Sequence, residues 1–394
     1  MQVFKPKSWR FKGNELNYVK QVLNNGFKAS SDGAFTTKLE KTFAIKYEQK
    51  YAISFNSGTS TLHAILLGLG CKTGDEVLVP SLTPLMCGLS IHYTGATPVY
   101  VDVNQDTFLM DPLDLEQKIS DKTKAVLVVH MYGGVCDMER ILLICNKFGI
   151  PVIEDCAQCH GGIAFNGKYA GTLGNAGSWS FENSKHLTSG DGGIVTTNNE
   201  ALATKIRKIG GLGFKTLSAE SGRIRTDKNK LQNPDWERFD EIGYNFRMNQ
   251  LAAAVALAQV ERQDYFVNLR KLAGQNYTKS IIGSNILISQ RNIPSTENAY
   301  FTFSTKFNGV DHGISWSEFR TKFMSFGGDG IYSAAKLLYQ EPIFRNLRIG
   351  KSTTPTAEYL QKRIMNFTTN QSNLSEIKKQ CEILVKTREY FGDL

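Results

Sequence analysis

The sequence predicts an α/β protein whose large domain has a mainly parallel sheet flanked by helices, followed by a smaller α+β C-terminal domain. Three observations lead to this fold class. Short runs rich in Val and Ile alternate with helical stretches over roughly the first two hundred residues. The runs are almost continuously apolar, which is typical of parallel strands buried on both faces. The alternation stops in the last part of the chain, where longer helices and a half-buried strand follow.

The predicted strands share a bounding residue of the Gly, Pro or Asp type and a Val- or Ile-rich core. They are Glu76–Pro80, Thr97–Val103, Ala125–His130 and Pro151–Asp155. Tyr51–Phe55 is a further strand-like segment. The helical stretches between them include Thr61–Gly68, Asp114–Ile119 and Met138–Phe148. Ligands of such sheets bind at the carboxyl ends of the strands. Asp155 stands at such an end.

The C-terminal part predicts a long Ala-rich helix, an alternating strand and two further helices. These elements are Met248–Tyr265, Phe301–Phe307, Ser317–Ser325 and Leu374–Tyr390. Asn373 is the expected N-cap of the last helix, with Glu376 three residues on. We therefore divide the chain into a large cofactor-binding domain over residues 1–263, N-terminal segment included, and a small domain over 264–394. Residues 215–236 are polar and predict a long functional or mobile loop.

Charge narrows the class of ligand. The 394 residues include 46 Lys and Arg against 37 Asp and Glu, which gives a formal net charge of +9. The basic residues are scattered along the chain instead of forming long blocks. This pattern favours a phosphorylated small molecule and argues against a nucleic acid partner.

The seven cysteines lie mostly inside apolar segments, and their number is odd. Because the chain starts without a secretory apolar region, we expect reduced thiols in a cytoplasmic protein. Cys156 and Cys159 have CxxC spacing, yet no second pair stands at a zinc-binding distance, so we expect them in the wall of a site and expect no metal. The apolar runs are too short to span a membrane, so we expect no membrane partner.

Three features carry the chemistry. Residues 56–61 (NSGTST) follow a strand and open a helix, which is where an anion such as phosphate is stabilised. Asp155 ends a buried strand, and Lys185 precedes the glycine-rich run Gly190–Gly193. Each feature alone has an ordinary explanation: a helix cap, a capping carboxylate or a solvated lysine. Together, in this order, they predict pyridoxal 5'-phosphate, which needs an amine for its aldehyde and a carboxylate for its ring nitrogen.

Eight stretches, spread over nearly the whole chain, resemble the sugar aminotransferases of the DegT/DnrJ/EryC1/StrS group, which are fold type I enzymes dependent on pyridoxal phosphate. The stretches are Ser57–Leu62, Gly74–Val77, Val129–Gly133, Ile153–Gln158, Gly171–Gly174, Ser180–Lys185, Gly190–Gly193 and Gly243–Met248. Several motifs in one order are far more specific than any single motif. The resemblance implies the fold type I architecture and an aminotransferase.

Carried over by position, the resemblance makes Lys185 the lysine that binds the cofactor and shuttles the proton, and Asp155 the partner of the ring nitrogen. It places Gln158 near the phenolic oxygen of the cofactor. It places Gly58, Thr59 and Ser180 at the phosphate. It also implies that Asn245 reaches the cofactor of a neighbouring subunit, so that the active unit is a homodimer with shared sites.

Two departures from the family pattern are informative. Members usually place an aromatic residue over the pyridine ring, where this chain has Pro84. A proline can cover the ring without a matching π surface. The second departure is in residues 327–342, where many members carry a different substrate loop with a histidine. We take His186, Arg247 and Tyr332 as candidate substrate-binding residues.

The resemblance implies two half-reactions, in which an amino acid, L-glutamate as in the family, gives its amino group to a keto sugar. The positive net charge favours a nucleotide-linked keto-deoxysugar, with contacts from Lys215, Arg223, Arg225 and Lys228 in the long loop. Three alternatives stay open. They are transamination of another cyclic ketone or keto sugar, a non-catalytic regulatory protein that binds pyridoxal phosphate, and a sugar 3-dehydratase, in which a histidine replaces the lysine.

Overall fold

The computed structural model describes residues 8–28, 33–222, 228–350 and 353–393. Seven strands among the described residues form the larger sheet. They are β1 (Tyr51–Phe55), β2 (Glu76–Pro80), β3 (Thr97–Val101), β4 (Thr123–Val129), β5 (Val152–Asp155), β6 (Ala176–Ser180) and β7 (Gly193–Thr197). Their order is β1-β7-β6-β5-β4-β2-β3. Strand β7 runs antiparallel to both of its neighbours, β1 and β6, and all other neighbouring pairs in this sheet are parallel, which confirms the predicted mainly parallel sheet.

A second, antiparallel sheet comes from the C-terminal part of the chain. Its strands, in the order β10-β11-β9-β8, are β8 (Leu287–Ser289), β9 (Thr302–Phe307), β10 (Ile331–Ser333) and β11 (Ile364–Thr368). Aromatic side chains, including Phe303 and Phe367, fill its core. Together with its helices, this sheet gives the C-terminal part the α+β character that the sequence predicts.

The described helices cover the larger sheet and the C-terminal part. In the first half they are α1 (Glu15–Asn24), α2 (Phe35–Lys46), α3 (Gly58–Gly68), α4 (Leu85–His92), α5 (Pro112–Lys118), α6 (Met138–Phe148) and α7 (Glu200–Gly210). In the second half they are α8 (Lys228–Leu231), α9 (Gln250–Glu261), α10 (Gln263–Ser280), α11 (Trp316–Ser325), α12 (Pro342–Leu347), α13 (Pro355–Gln361) and α14 (Leu374–Tyr390). Within the described ranges, none of them combines the length and the apolar character needed to cross a bilayer.

The single helix predicted over Met248–Tyr265 is wrong. The chain instead forms α9 and α10, which meet at Arg262, a residue with non-helical backbone angles. The first helix packs against α1 and α2, whereas the second packs against α14 and β9. The break falls in the polar run Glu261–Asp264, which separates the apolar residues of the two helices.

The predicted boundary between residues 263 and 264 falls at the start of α10 and stays a prediction. The chain beyond it does not keep to the smaller sheet. Leu338, Phe344 and Leu360 pack into the same core as the larger sheet. The C-terminal part therefore also covers one side of the α/β layer.

Glu154, one residue before the end of β5, organises the loop that leads into β6. Both of its carboxylate oxygens accept hydrogen bonds from backbone N–H groups of the turn over residues 171–174, at 2.6 to 2.8 Å. The side chain is completely buried. Neighbouring residues of a strand point to opposite faces, so Glu154 holds this turn on one side of β5 while Asp155 faces the other.

His130 completes the set of donors around Glu154. Its Nδ1 accepts a hydrogen bond from the backbone N–H of Cys136 at 3.1 Å, which assigns the ring proton to Nε2. Nε2 then donates to Glu154 at 3.0 Å. The buried carboxylate is thus fully hydrogen-bonded, as a buried charge requires.

We expect Glu154→Gln to destabilise the protein by about 3 kcal/mol, because an amide turns one acceptor into a donor that faces N–H groups. Urea unfolding followed by fluorescence measures this loss. Glu116→Gln is the matched control, since the Glu116–Lys147 pair is exposed at 3.0 Å and such pairs contribute less than about 1 kcal/mol. Equal unfolding midpoints for the two variants would contradict the role of Glu154.

Candidate active site

A cavity of about 390 Å³ opens at the carboxyl ends of the central strands. It is lined by seven of the residues that the sequence singles out, namely Gly58, Thr59, Pro84, Asp155, Gln158, Ser180 and Lys185. The strand register explains the convergence. Asp155 ends β5, between Val129 of β4 and Ser178 of β6, and Ser180 ends β6. The amine and the acid therefore share one pocket.

The first turn of α3 forms one end of the cavity. Ser57 caps the helix, because its Oγ accepts a hydrogen bond from the N–H of Ser60 at 3.1 Å. The N–H groups of the first helical turn have no intrahelical acceptor and stabilise an anion. A Cβ on Gly58 would lie 2.8 Å from that of Ser180, so only glycine allows β6 to approach the turn this closely. This end of the cavity fits a phosphate group.

Asp155 lies at the floor of the cavity and is only 5% exposed. Its Oδ1 accepts a hydrogen bond from the N–H of Ala157 at 2.9 Å, and its Oδ2 accepts one from the thiol of Cys87 at 3.2 Å. Burial raises the pKa of Asp155, and these two donors oppose the rise. A buried carboxylate of this kind is stabilised by a cationic partner, such as a protonated pyridine nitrogen.

Lys185 projects into the same cavity from the loop between β6 and β7. Burial lowers its pKa, although Glu182 and Asp155 raise it in part, and the positive charge of Arg270 lowers it further. Its Nζ lies 4.9 Å from the centre of the Phe301 ring. A lowered pKa increases the fraction of neutral amine at neutral pH, and the neutral amine is the form that attacks an aldehyde.

Two arginines hold the backbone of the lysine loop. Arg10, in the 3₁₀ turn Trp9–Phe11, donates to the carbonyl oxygens of residues 183, 185 and 186 at 2.7, 2.6 and 3.2 Å. Arg270, from α10, donates to the carbonyl oxygen of residue 184 at 3.2 Å. Four successive carbonyl groups thus accept hydrogen bonds from a guanidinium group. Sequence reasoning missed both arginines, because nothing in their local sequence links them to a loop more than eighty residues away.

Pro84 lines the cavity as expected. It is the N-cap residue of α4, and Met86 from the first turn of that helix lines the same wall. The thioether of Met86 is an apolar group that sequence reasoning did not single out. Of the described residues, none that lines this cavity is aromatic.

Gln158 is held by a backbone contact. Its Oε1 accepts a hydrogen bond from the N–H of Tyr132 at 2.9 Å, which fixes the orientation of the amide and leaves its nitrogen as a donor. A donor is what a phenolic oxygen of a cofactor would require.

The structure does not bring the predicted substrate-binding residues into this cavity. His186 is only 1% exposed, and its Nε2 contacts the carbonyl oxygen of Ala299 at 2.9 Å. Arg247 lines a different cavity, and Tyr332 is 59% exposed on β10. Asn245 is exposed and also lies outside the cavity. Within one subunit, none of these four residues therefore lines the cavity of Lys185 and Asp155.

The basic loop is described only in part. Lys215 forms an exposed ion pair with Glu237 at 3.1 Å, so its charge already has a partner. Arg223 and Arg225, and the side chain of Lys228, lie outside the described residues.

The buried acid, the amine of lowered pKa and the helix N-terminus fit pyridoxal phosphate, the cofactor of fold type I aminotransferases. The sequence profile of the DegT/DnrJ/EryC1/StrS aminotransferase family matches residues 10–379. The chain therefore belongs to this family and is a pyridoxal phosphate-dependent aminotransferase. The predicted resemblance, fold type and cofactor are confirmed.

Named relatives and solved structures agree with this assignment. The chain is 39% identical over 269 residues to the GDP-perosamine synthase of Escherichia coli O157:H7, which covers 68% of this chain and 69% of that protein. It is 40% identical over 262 residues to the GDP-perosamine synthase of Caulobacter vibrioides, with 66% of each protein covered. An aminotransferase structure from Psychrobacter cryohalolentis superposes with a TM-score of 0.88 at 26% identity, covering 99% of this chain and 100% of that one.

We expect Arg10→Ala to speed amide hydrogen exchange in residues 183–187 about tenfold, because the loop loses three hydrogen bonds from a charged donor. Mass spectrometry of peptic fragments measures the rates. Lys12→Ala is the matched control, since Lys12 is exposed two residues further along. Unchanged exchange in the Arg10 variant would show that the guanidinium does not hold the loop.

Proposed function

We propose that the protein transfers the amino group of L-glutamate to a keto sugar linked to a nucleotide diphosphate. The observation that carries this proposal is the shared cavity of Lys185, Asp155 and the first turn of α3. Its carboxylate, amine and anion site match the three ends of pyridoxal phosphate.

Each residue has a proposed role at the cofactor. Gly58, Thr59 and Ser180 bind the phosphate, and Asp155 binds the ring nitrogen. Gln158 donates from its amide nitrogen to the phenolic oxygen, while Pro84 covers one face of the ring. When bound, the cofactor supplies a carbonyl carbon that carries the amino group and a ring that withdraws electrons from the reacting carbon.

Lys185 has two roles in the proposal. Its Nζ holds the cofactor covalently between turnovers, and the same nitrogen, once released, takes the proton from the carbon that bears the amino group and later returns it. Both roles need a neutral amine, which the lowered pKa of Lys185 supports. Asp155 stays charged in this scheme and fixes the ring in orientation.

The names of the relatives support a GDP-linked sugar as the acceptor, since two of them are GDP-perosamine synthases. The formal charge of +9 also favours a substrate with a pyrophosphate group. A GDP-linked 4-keto-6-deoxymannose is therefore our first choice of acceptor. Free cyclic ketones lack the charged group and are the second choice.

The position of His186 bears on the dehydratase alternative. In that class, a histidine replaces the lysine, and His186 neighbours Lys185 in this chain. Its imidazole is buried against Ala299 and does not line the cavity. Lys185 therefore keeps the role of the base, which favours transamination.

The purified protein should show a visible absorption band from the covalently bound cofactor, and Lys185→Ala should lack it. Glutamate should bleach the band of the unaltered protein, because the cofactor then holds the amino group. Addition of GDP-4-keto-6-deoxymannose should restore the band, and chromatography should detect a GDP-linked amino sugar. Lys185→Ala should lack the band because Nζ of Lys185 is the only proposed point of covalent attachment.

Lys336→Ala is the matched control, since Lys336 is exposed in the C-terminal part. It should keep the band and both spectral changes. Bleaching without restoration by any of GDP-, UDP- or dTDP-linked keto sugars, together with restoration by a free cyclic ketone, would favour the second choice. A band that glutamate leaves unchanged would favour a regulatory protein and contradict the proposal.

We also propose a homodimer in which Asn245 of one subunit reaches the cofactor phosphate of the other. Asn245 is exposed, and Ile242, three residues earlier, is an apolar residue that is 83% exposed. Tyr93 and Tyr244 surround His63, and with Ser57 and Thr59 they line a second cavity beside the first turn of α3. An apolar, exposed surface next to the anion site suits contact with a second subunit.

Mixing experiments test whether the sites are shared. Lys185→Ala and Asn245→Asp should each be inactive alone, and refolding them together should recover about a quarter of the unaltered activity. The reason is that half of the dimers would be mixed, and each mixed dimer would have one intact site. Lys185→Ala refolded alone is the control. No recovery of activity in the mixed sample would mean that each subunit has a complete site.

A cytoplasmic location is part of the proposal. All seven cysteines are free and buried, which suits a reducing compartment.

A further inference from the structure

A buried chain of hydrogen bonds connects α4 to the carboxylate of Asp155. The hydroxyl of Thr83 donates to the sulfur of Cys87 at 3.3 Å, and the thiol of Cys87 donates to Oδ2 of Asp155 at 3.2 Å. Cys87 is 1% exposed, lies in the first turn of α4 and lines the cavity. The structure therefore places a thiol between Thr83, in the segment that joins β2 to α4, and the acid of the site.

The direction of these bonds follows from the chemistry of the thiol. Sulfur carries one proton, and the hydroxyl of Thr83 already occupies its acceptor side. Burial, and next the charge of Asp155, raise the pKa of Cys87 well above its ordinary value, so the thiol stays protonated. Its single proton is therefore directed at Asp155.

We propose that Cys87 is a positioning residue that orients the carboxylate of Asp155 and keeps the proton on the ring nitrogen of the cofactor. The inference rests on the proposed pairing of Asp155 with that nitrogen. Two donors, the N–H of Ala157 on Oδ1 and the thiol on Oδ2, stabilise the charged carboxylate. A stabilised carboxylate does not take the proton from its partner, so the ring stays cationic and withdraws electrons.

The strength of the donor matters. A thiol is a weak donor compared with a hydroxyl, so it fixes Oδ2 without removing most of its negative charge. The same turn of α4 carries Pro84 and Met86, which occupy the region where family members usually have an aromatic residue. The thiol therefore belongs to a segment that differs from the family pattern.

The test compares Cys87→Ala, which removes the donor, with Cys87→Ser, which restores one. Cys145→Ala is the matched control, because Cys145 is a buried cysteine of α6 outside the cavity. Thermal unfolding of each protein without cofactor shows first that all variants fold. Fluorescence titration with pyridoxal phosphate then gives the dissociation constant, and ¹⁵N magnetic resonance of ring-labelled cofactor reports the proton on the ring nitrogen.

We expect Cys87→Ala to bind the cofactor about fivefold more weakly, which is less than the loss of a strong donor to a charged group because the thiol is a weak donor. Its ¹⁵N signal should shift toward the unprotonated ring. Cys87→Ser should restore both properties, and Cys145→Ala should leave both unchanged. If the folded Cys87→Ala protein binds the cofactor with unaltered affinity and ¹⁵N shift, Cys87 does not position Asp155. If the unaltered protein binds no pyridoxal phosphate, the proposed function itself fails. That result differs from unaltered binding by Cys87→Ala, which contradicts only the role of Cys87.

Discussion

Two adjacent carboxylates are buried at the end of the central strand β5, and the architecture of the site depends on how each is stabilised. Burying an ionised carboxylate without partners is strongly unfavourable. Glu154 meets this requirement with three backbone N–H groups and His130. Asp155 has two donors from the protein, one backbone N–H and one thiol. The first carboxylate is satisfied by the fold, whereas the second keeps lone pairs for a ligand.

The loop that carries Lys185 is stabilised by hydrogen bonds from arginine side chains to its backbone carbonyl groups. Its loop has no regular secondary structure, yet four successive carbonyl oxygens accept hydrogen bonds from Arg10 or Arg270. Arg270 is buried, and its described partners are neutral oxygens of Phe301, Thr369 and Ser184. Its positive charge is thus not cancelled by a direct carboxylate contact, and it adds to the effect of burial in lowering the pKa of Lys185. Arg270, one of the two residues that fix the loop, therefore also favours the neutral amine of Lys185.

The sequence predicts well what short segments determine. The bounds of α6 and α14 are as predicted, and Asn373 accepts the hydrogen bond of the N–H of Glu376 at 3.0 Å. Strand β6, with the sequence AGSWS, was not predicted. Its small residues are set by close approach, since a Cβ on Gly177 would lie 2.1 Å from the carbonyl oxygen of Gly171. Such contacts produce no hydrophobic pattern in the sequence from which the strand could be predicted.

The same distinction separates the predicted from the unpredicted residues of the site. Lys185, Asp155 and the α3 turn belong to motifs whose local spacing is informative. Arg10 and Cys87 act through contacts that only the fold creates, with Asn183 and Asp155 respectively. His186 shows the reverse case, because its place beside Lys185 in the chain suggests the cavity, while its side chain packs against Ala299. Neighbours in a loop need not share a pocket.

If Pro84 covers the ring of the cofactor, as we propose, the electrostatic contacts of the site become more important for binding. An aromatic residue stacked on a pyridine ring contributes about 0.5–1.5 kcal/mol beyond the area that it buries. Pro84 and Met86 offer apolar surface at this wall without a π system. In the proposed binding mode, the polar ends of the cofactor would then supply more of its orientation, through the helix terminus at the phosphate and Asp155 at the ring nitrogen. A carboxylate held by two donors is better suited to that task than one free to rotate, because less conformational freedom is lost when the ring binds.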